Sequence, residues 1–141
     1  MKEKEVSKSK YGSRRKVKAI VRNMEHLVAL GLRDYVDFDN RKGRLPRDIE
    51  WLLTWYLKLA SRNPYFWCDE VSELKLKKVS KKVVALKAVA EIGPEDGTGK
   101  TVSCQVIGAI TLSSTKKELK NYDIKIVGDG IDFHVTKGIK N

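Results

Sequence analysis

The sequence has few residues of the kinds that build metal centres, disulfide frameworks or membrane spans. Its 141 residues include two cysteines and two histidines, and neither cysteine has a second Cys or His at zinc-ligand spacing. No stretch approaches the roughly 18 consecutive apolar residues of a membrane span, and no signal peptide is in view. We therefore expect no metal, no cofactor and no membrane partner. Cys68 and Cys104 are expected to be reduced thiols in a cytoplasmic or nucleoid-associated protein that is not secreted.

Charge of one sign dominates. Charged residues make up 33% of the chain, above the roughly 25% of an average soluble domain, and 29 Lys and Arg outnumber 18 Asp and Glu. The net charge is +11 and the isoelectric point is near 9.7. A net charge of this size destabilises the folded chain through self-repulsion. The foremost explanation for it is a polyanion partner, DNA or RNA. An anionic membrane surface is the weaker candidate.

The N-terminal part predicts a tail and a first helix. Residues 1–13 are mostly Lys, Glu and Ser, which predicts a flexible basic tail before a single domain over residues 14–141. Ser13 suits a helix N-cap, and Gly31 suits the end of that helix. Between them, apolar residues at spacings of three and four indicate one buried face: Val17, Ile20, Val21, Met24, Leu27 and Val28.

A second helix is predicted after a break in the pattern over residues 32–45. Pro46 suits the first turn of a helix, an apolar run extends to Ala60, and Asn63-Pro64 ends it. The residues of its predicted core face are Ile49, Leu52, Leu53, Tyr56, Leu59 and Ala60.

The remainder predicts strands. Leu74 and Leu76 alternate with lysines as in a short strand, and two β-branched runs, 83–92 and 101–112, flank a glycine-rich loop. The competing interpretation is one helix over 71–92. After a polar link at 113–121, residues 122–127 and 131–135 form a second hairpin around Gly128-Asp129-Gly130. The fold class is therefore α+β: two N-terminal helices (residues 14–64) packed on a C-terminal antiparallel β-sheet (mainly residues 65–141), with a flexible basic N-terminal arm.

Motifs for catalysis are weak. The segment from Pro94 to Thr101 ends like a phosphate-binding P-loop, but it lacks the first glycine and β-branched residues follow where a helix is required. His26 reads as a structural histidine. His134 has Asp132 two positions away, and Asp-x-His alone does not specify a catalytic triad. We expect no enzyme, and a small hydrolase using the histidines stays only as a remaining alternative.

Concentrated basic clusters carry the functional prediction. Six lysines and no acid lie between residues 75 and 87, and nine Lys or Arg but two Glu lie between residues 1 and 22. A nucleic-acid footprint requires charge concentrated in this way. The alternative is a solubilising tail and lysines that protect a sheet edge. The predicted phosphate contacts are Arg14, Arg15, Lys16, Lys18, Arg22, Arg41, Lys42, Arg44, Lys75, Lys77, Lys78, Lys81 and Lys82.

An aromatic–basic stripe adds a predicted protein interface on the second helix. Trp51, Trp55, Lys58 and Arg62 fall at spacings of four, three and four, away from the core face. Burial or a subunit contact explains such a stripe better than stacking on bases. The leading prediction is thus a non-enzymatic protein that binds DNA or RNA through phosphates, largely independently of sequence. The alternative is a structural or assembly subunit, such as a nucleoprotein coat or a small subunit of a larger complex, forming a homo-oligomer or larger assembly through that helix.

Overall fold

The computed structural model describes residues 14–39, 44–61, 66–94 and 100–137. Two helices come first, and five strands follow. They are α1 (Arg14–Phe38), α2 (Leu45–Ser61), β1 (Phe66–Lys78), β2 (Val83–Pro94), β3 (Val102–Leu112), β4 (Leu119–Gly128) and β5 (Ile131–Lys137). Two helices packed on an antiparallel sheet are the predicted class, which is confirmed. The predicted tail over residues 1–13 lies outside the described residues.

The sheet is a simple meander that curls around one helix. Its strand order is β1-β2-β3-β4-β5, and every neighbouring pair is antiparallel. α2 contacts the edge strand β1 and also the opposite edge strand β5. The inner face of the sheet therefore surrounds α2, while α1 packs on α2 and contacts β4. The apolar core lies between the helices and this inner face.

α1 continues past Gly31, so the predicted end of this helix was wrong. Gly31 serves close packing instead, because a Cβ atom there would lie 2.9 Å from Cδ1 of Leu45 in α2. The buried face continues through Leu32 and Tyr35. The helix ends where Asp39 adopts a left-handed φ of 53° and its N–H donates to the Tyr35 carbonyl at 2.9 Å. Leu27, predicted to be buried, is 41% exposed.

α2 agrees with its predicted extent within a residue, and Pro46 lies in its first turn. The Asp48 N–H donates to the Arg44 carbonyl at 2.8 Å and closes that turn. The members of the predicted core face that are buried are Ile49, Leu52, Leu53 and Tyr56. Ala60 is exposed, contrary to prediction, whereas Leu57 is fully buried and was missed. The predicted stop at Asn63-Pro64 lies outside the described residues.

The strand predictions for the two hairpins are confirmed, and the competing helix over 71–92 was wrong. The alternating set predicted for one face of β2 is buried throughout: Val84, Leu86, Ala88, Ala90 and Ile92. β1 is longer than predicted and contains two register shifts, and Glu73, beside one of them, has a left-handed φ of 51°. β4 begins at Leu119, inside the predicted polar link.

Candidate functional site

One face of α1 carries charged side chains at the spacing of helical turns. Lys18 and Arg22 are exposed and four residues apart, and the same spacing continues to His26. Further along, Arg33 and Asp37 fall on this face. Of the other contacts predicted around the two helices, Lys16 and Arg44 are exposed. The side chains of Arg14 and Arg15, and all of Arg41 and Lys42, lie outside the described part of the chain.

The second predicted basic cluster is divided by the fold. Lys75 and Lys77 point to the outer face of the sheet, because the alternating residues Leu74 and Leu76 pack toward the core. The other three lysines lie at the end of the sheet, on or beside the turn from β1 to β2: Lys78, Lys81 and Lys82. The five lysines predicted as phosphate contacts therefore lie on two surfaces with different orientations.

α1 crosses the same end of the sheet, and two polar contacts join it to the turn between β3 and β4. The His26 ring nitrogen Nδ1 lies 2.7 Å from the carbonyl oxygen of Lys117. Because a carbonyl oxygen only accepts, Nδ1 carries the proton. Eleven residues further along the helix, Asp37 Oδ1 lies 2.6 Å from Lys116 Nζ.

Two cavities flank this crossing. The first, of about 400 Å³, lies beside the middle of α1, and its lining includes Arg22, His26, Glu118 and Lys137. The second, of about 470 Å³, lies at the C-terminal end of α1 against both turns. We call the whole border between α1 and the sheet end the α1 seam. Its members are Arg22, His26, Lys78, Lys81, Lys116, Lys117 and Lys137, and we include Lys18, which lies one turn before Arg22 on the same face of α1.

Sequence reasoning missed three cations of the α1 seam, namely Lys116, Lys117 and Lys137. They stand apart from the two dense clusters in the sequence. A usable signal was present, because in an antiparallel meander the turns after the first and third strands lie at the same end of the sheet. The polar segment holding Lys116 and Lys117 therefore had to lie near the lysine-rich turn at residues 79–82.

A buried polar network forms one wall of the first cavity. Glu25 of α1 accepts a hydrogen bond from the Tyr56 hydroxyl at 2.6 Å and another from Lys137 Nζ at 3.2 Å. The ring of Tyr122 lies 5.1 Å from that of Tyr56. Burial, followed by the charge of neighbouring groups, raises the pKa of Tyr56 far above its ordinary value. Tyr56 therefore remains a neutral donor that stabilises the carboxylate.

The predicted Trp stripe lies where α2 meets β1. Trp51 is 39% exposed, and its ring contacts that of Trp67 edge-on at 5.1 Å between centroids. Trp55 is half-buried and packs against the core. Lys58 is buried, with its Nζ 5.3 Å from the Trp67 centroid and 5.8 Å from the Trp55 centroid. Arg62 lies outside the described residues. The stripe is therefore an aromatic cluster that is only partly open to solvent.

Within the ranges that the structure describes, the weak catalytic motifs do not come together into one site. A strand, β3, follows Lys100 where a P-loop requires a helix. The His134 ring contacts Asp123 on the neighbouring strand at 2.5 Å, instead of Asp132 along its own strand. Cys68 and Cys104 are buried free thiols.

The described part of the chain has neither a metal-binding cluster nor a membrane-spanning helix. In the described ranges, no group of three or more His, Cys, Asp or Glu side chains is placed to hold a metal ion. The same ranges contain no helix with the length and apolar character needed to cross a membrane.

Comparison with known proteins adds no family assignment. No family model, no curated protein and no solved structure matches this chain.

Proposed function

We propose that this protein binds nucleic acid through its phosphates along the α1 seam, largely independently of sequence and without a catalytic step or cofactor. The observation that carries the proposal is that α1 crosses the lysine-bearing end of the sheet. Arg22, from the first basic cluster, lines the first cavity, and Lys78, from the second cluster, lines the second cavity. Charges that are far apart in the sequence therefore lie along the same helix.

The dimensions of the α1 seam suit a nucleic-acid strand. From Arg22 to Asp37 the helix advances about 22 Å at about 1.5 Å per residue. One strand of a duplex carries a phosphate about every 3.4 Å along the axis, so roughly six phosphates span this length. Cations spaced along such a surface release counterions from the backbone and contact no base edge, which favours binding that is insensitive to sequence.

The acidic residues near the α1 seam weaken the proposal less than their number suggests. Asp37 is paired with Lys116, and Glu25 is paired with Lys137 and Tyr56. Their charges are therefore compensated within the protein. Glu118 is exposed in the lining of the first cavity, but the exposed cations Lys18, Arg22 and Lys117 outnumber it.

A titration with single- and double-stranded DNA and RNA at two salt concentrations tests the proposal. The variant Lys18→Ala/Arg22→Ala should weaken binding about equally across sequences. It should also reduce the slope of log affinity against log salt by up to about 1.8, since each phosphate contact contributes about 0.9 on duplex DNA. The matched control is Lys87→Ala/Lys125→Ala, which removes the same charge from the outer face of the sheet.

Two results would contradict the proposal. One is wild-type protein with no affinity for any of the four nucleic acids at low salt. The other is a control variant that loses as much affinity and salt dependence as the variant of the α1 seam, because binding would then reflect net charge instead of this surface.

The aromatic cluster where α2 meets β1, which is partly open to solvent, supports a second candidate function. An exposed tryptophan beside buried apolar residues is a common feature of protein interfaces, where aromatic residues supply much of the binding energy. The protein would then be a structural or assembly subunit. Trp51 is the residue that supports this candidate, since Trp55 and Lys58 are largely engaged within the chain.

A further inference from the structure

The cavity at the C-terminal end of α1 combines three lysines with one acid. Its volume is about 470 Å³. Three elements converge on it: the last turn of α1, the turn between β1 and β2, and the turn between β3 and β4. The lining residues are Val36, Asp37, Lys78, Ser80, Lys81 and Lys116.

Two of the three lysines are held in place by contacts within the protein. Lys116 Nζ contacts Asp37 Oδ1 at 2.6 Å. Lys78 Nζ lies 5.4 Å from the ring centroid of Tyr35, a geometry that favours a cation. Tyr35 is fixed in turn, because its hydroxyl donates to the Leu76 carbonyl at 3.1 Å. Side chains ordered in this way lose little further conformational freedom when a ligand binds.

The backbone of both turns is also fixed. In the first turn, the N–H groups of Val79 and Ser80 donate to the Val83 carbonyl at 2.9 and 3.2 Å. The carbonyl of Lys82 accepts a hydrogen bond from the Leu112 N–H at 2.7 Å, which ties this turn to β3. The cavity is therefore built on hydrogen-bonded backbone on this side.

Lys116 has a backbone conformation that residues other than glycine rarely adopt. Its φ is 59°, in the left-handed region, and its N–H donates to the Ser113 carbonyl at 2.9 Å. Glycine would occupy this position without strain. Strained non-glycine residues concentrate at functional sites, where the surrounding structure maintains them. A lysine here places its ammonium group at the cavity despite the strain.

The charge balance of the cavity matches one phosphate group. Asp37 compensates Lys116, which leaves the charges of Lys78 and Lys81 facing the cavity. A backbone phosphodiester carries one negative charge and a phosphate monoester carries between one and two, so these two lysines can compensate either group. The Ser80 side chain accepts from the Lys82 N–H at 3.4 Å, and its own O–H can donate to a phosphate oxygen.

We propose that this cavity is a preformed phosphate seat in which Lys78, Lys81, Lys116 and the Ser80 hydroxyl hold a single phosphate group. The occupant is a backbone phosphate of a nucleic-acid strand that lies along the α1 seam, and this identification of the occupant rests on the proposed function. The inference that the seat binds a phosphate group does not rest on the proposed function. The other cations of the α1 seam steer the strand, and the seat anchors it.

The test uses two probes and two matched variants of the full chain. Inorganic pyrophosphate is titrated while backbone amide signals are followed by nuclear magnetic resonance, and DNA and RNA are titrated by fluorescence anisotropy. The seat variant is Lys78→Gln/Lys81→Gln. The control Lys87→Gln/Lys125→Gln has the same change in charge on the open outer face of the sheet. Circular dichroism verifies that both variants are folded.

The seat predicts a localised response. Pyrophosphate should shift the amide signals of Ser80, Lys81 and Lys116. The seat variant should lose about tenfold or more in affinity for pyrophosphate and for nucleic acid, because two charge-assisted contacts are removed. The control should lose about twofold or less, as expected for exposed charges.

Lys116→Gly separates binding from stability. Glycine removes the strain of the left-handed φ but leaves Asp37 uncompensated in the cavity. This variant should therefore unfold at a temperature close to that of the wild type and still bind pyrophosphate much more weakly. Wild-type affinity for pyrophosphate in Lys116→Gly would overturn the seat.

Failure of the seat and failure of the proposed function give different results. Nucleic-acid binding that weakens equally and only slightly in the seat variant and the control, but strongly in Lys18→Ala/Arg22→Ala, overturns the seat while the function stands. Pyrophosphate binding that is lost only in the seat variant, without any affinity for DNA or RNA, supports the seat and refutes the nucleic-acid function. Free phosphate compounds would then be the source of its ligand. Pyrophosphate shifts spread over all surface lysines would overturn the seat.

Discussion

At the scale of single residues, the most demanding group is a carboxylate in the core. Glu25 is 6% exposed, and a charge so deeply buried is costly unless it is paired and hydrogen-bonded. Tyr56 and Lys137 supply the partners from α2 and β5. A residue of the first helix is thereby bonded to the last strand, and the wall of the first cavity depends on this bond.

Replacing Tyr56 by Phe should therefore lower the free energy of unfolding by about 1–3 kcal/mol, because the buried carboxylate of Glu25 loses a hydrogen-bond donor. Urea denaturation measures the change. Tyr35→Phe is the matched control, since its hydroxyl donates to a neutral carbonyl, and it should cost about 0.5–1.5 kcal/mol. Equal losses in the two variants would show that the charge of Glu25 adds nothing to the Tyr56 contact.

Cys68 makes stability depend on pH at the alkaline end. Burial, followed by the charge of Glu50, raises the pKa of the thiol from 9.0 to about 12. The native state thus holds this proton more tightly than the unfolded state. The resulting stability is fully present below pH 9 and is lost as the pH rises from 9 toward 12.

The melting temperature should fall over this pH range, and it should fall less in Cys68→Ala, which has no thiol to ionise. Near neutral pH the folded protein should react with iodoacetamide at Cys68 far more slowly than the protein in urea does. Rapid alkylation of Cys68 in the folded protein would contradict the raised pKa.

At the scale of elements, local sequence patterns predicted the structure correctly where a residue type has only one structural role. The alternation in β2 predicted its buried face because a half-buried strand repeats every two residues. Gly31 failed as a stop signal because a glycine can end a helix or allow a second helix to approach closely. The contact that decides between these roles, with Leu45 on α2, is a tertiary one.

β1 shows why a long strand was predicted as a short one. Val71 and Leu74 both face the core although they are three positions apart, an odd separation that strict alternation forbids. The register shift between Ser72 and Lys75, with Glu73 in the left-handed region, reverses the pattern. The alternation on each side of the shift is too short to identify one strand of this length.

The aromatic cluster between α2 and β1 gives a prediction for the assembly candidate. Trp51→Ser should dissociate an oligomer while the monomer stays folded, because Trp51 is exposed enough to be removed without opening the core. Trp55→Ser, at a half-buried position, should instead lower the free energy of unfolding. The loss should approach the value of about 3–5 kcal/mol that is typical of truncating a buried aromatic residue. Sedimentation with circular dichroism distinguishes the two effects. A wild-type protein that is monomeric at all concentrations would exclude a self-assembled form through Trp51.

At the scale of the whole molecule, the sequence predicted the charges but not where they meet. The positions of the basic clusters along the chain are read directly from the sequence, and the order of helices and strands predicted the fold class. The α1 seam depends on how α1 docks across the end of the sheet, which is decided by packing between distant residues. Lys75 and Lys77 were predicted as phosphate contacts together with Lys78 and Lys81, and the pleat of β1 places the two pairs on different surfaces.

The meander topology has a consequence for the order of folding. Each strand pairs with its neighbour in sequence, so the sheet grows by successive hairpins with short loop closures. The contacts that dock α1 join residues much further apart: His26 reaches a carbonyl 91 positions away, and Glu25 reaches Lys137 across 112. Such long closures follow once local structure is in place. Chains emerging from the ribosome can pack α1 on α2 early, but the contacts of His26 and Glu25 with the end of the sheet form only after β4 and β5 have been made. The cationic border is therefore assembled only in the finished protein, and nascent or truncated chains carry its charges without its shape.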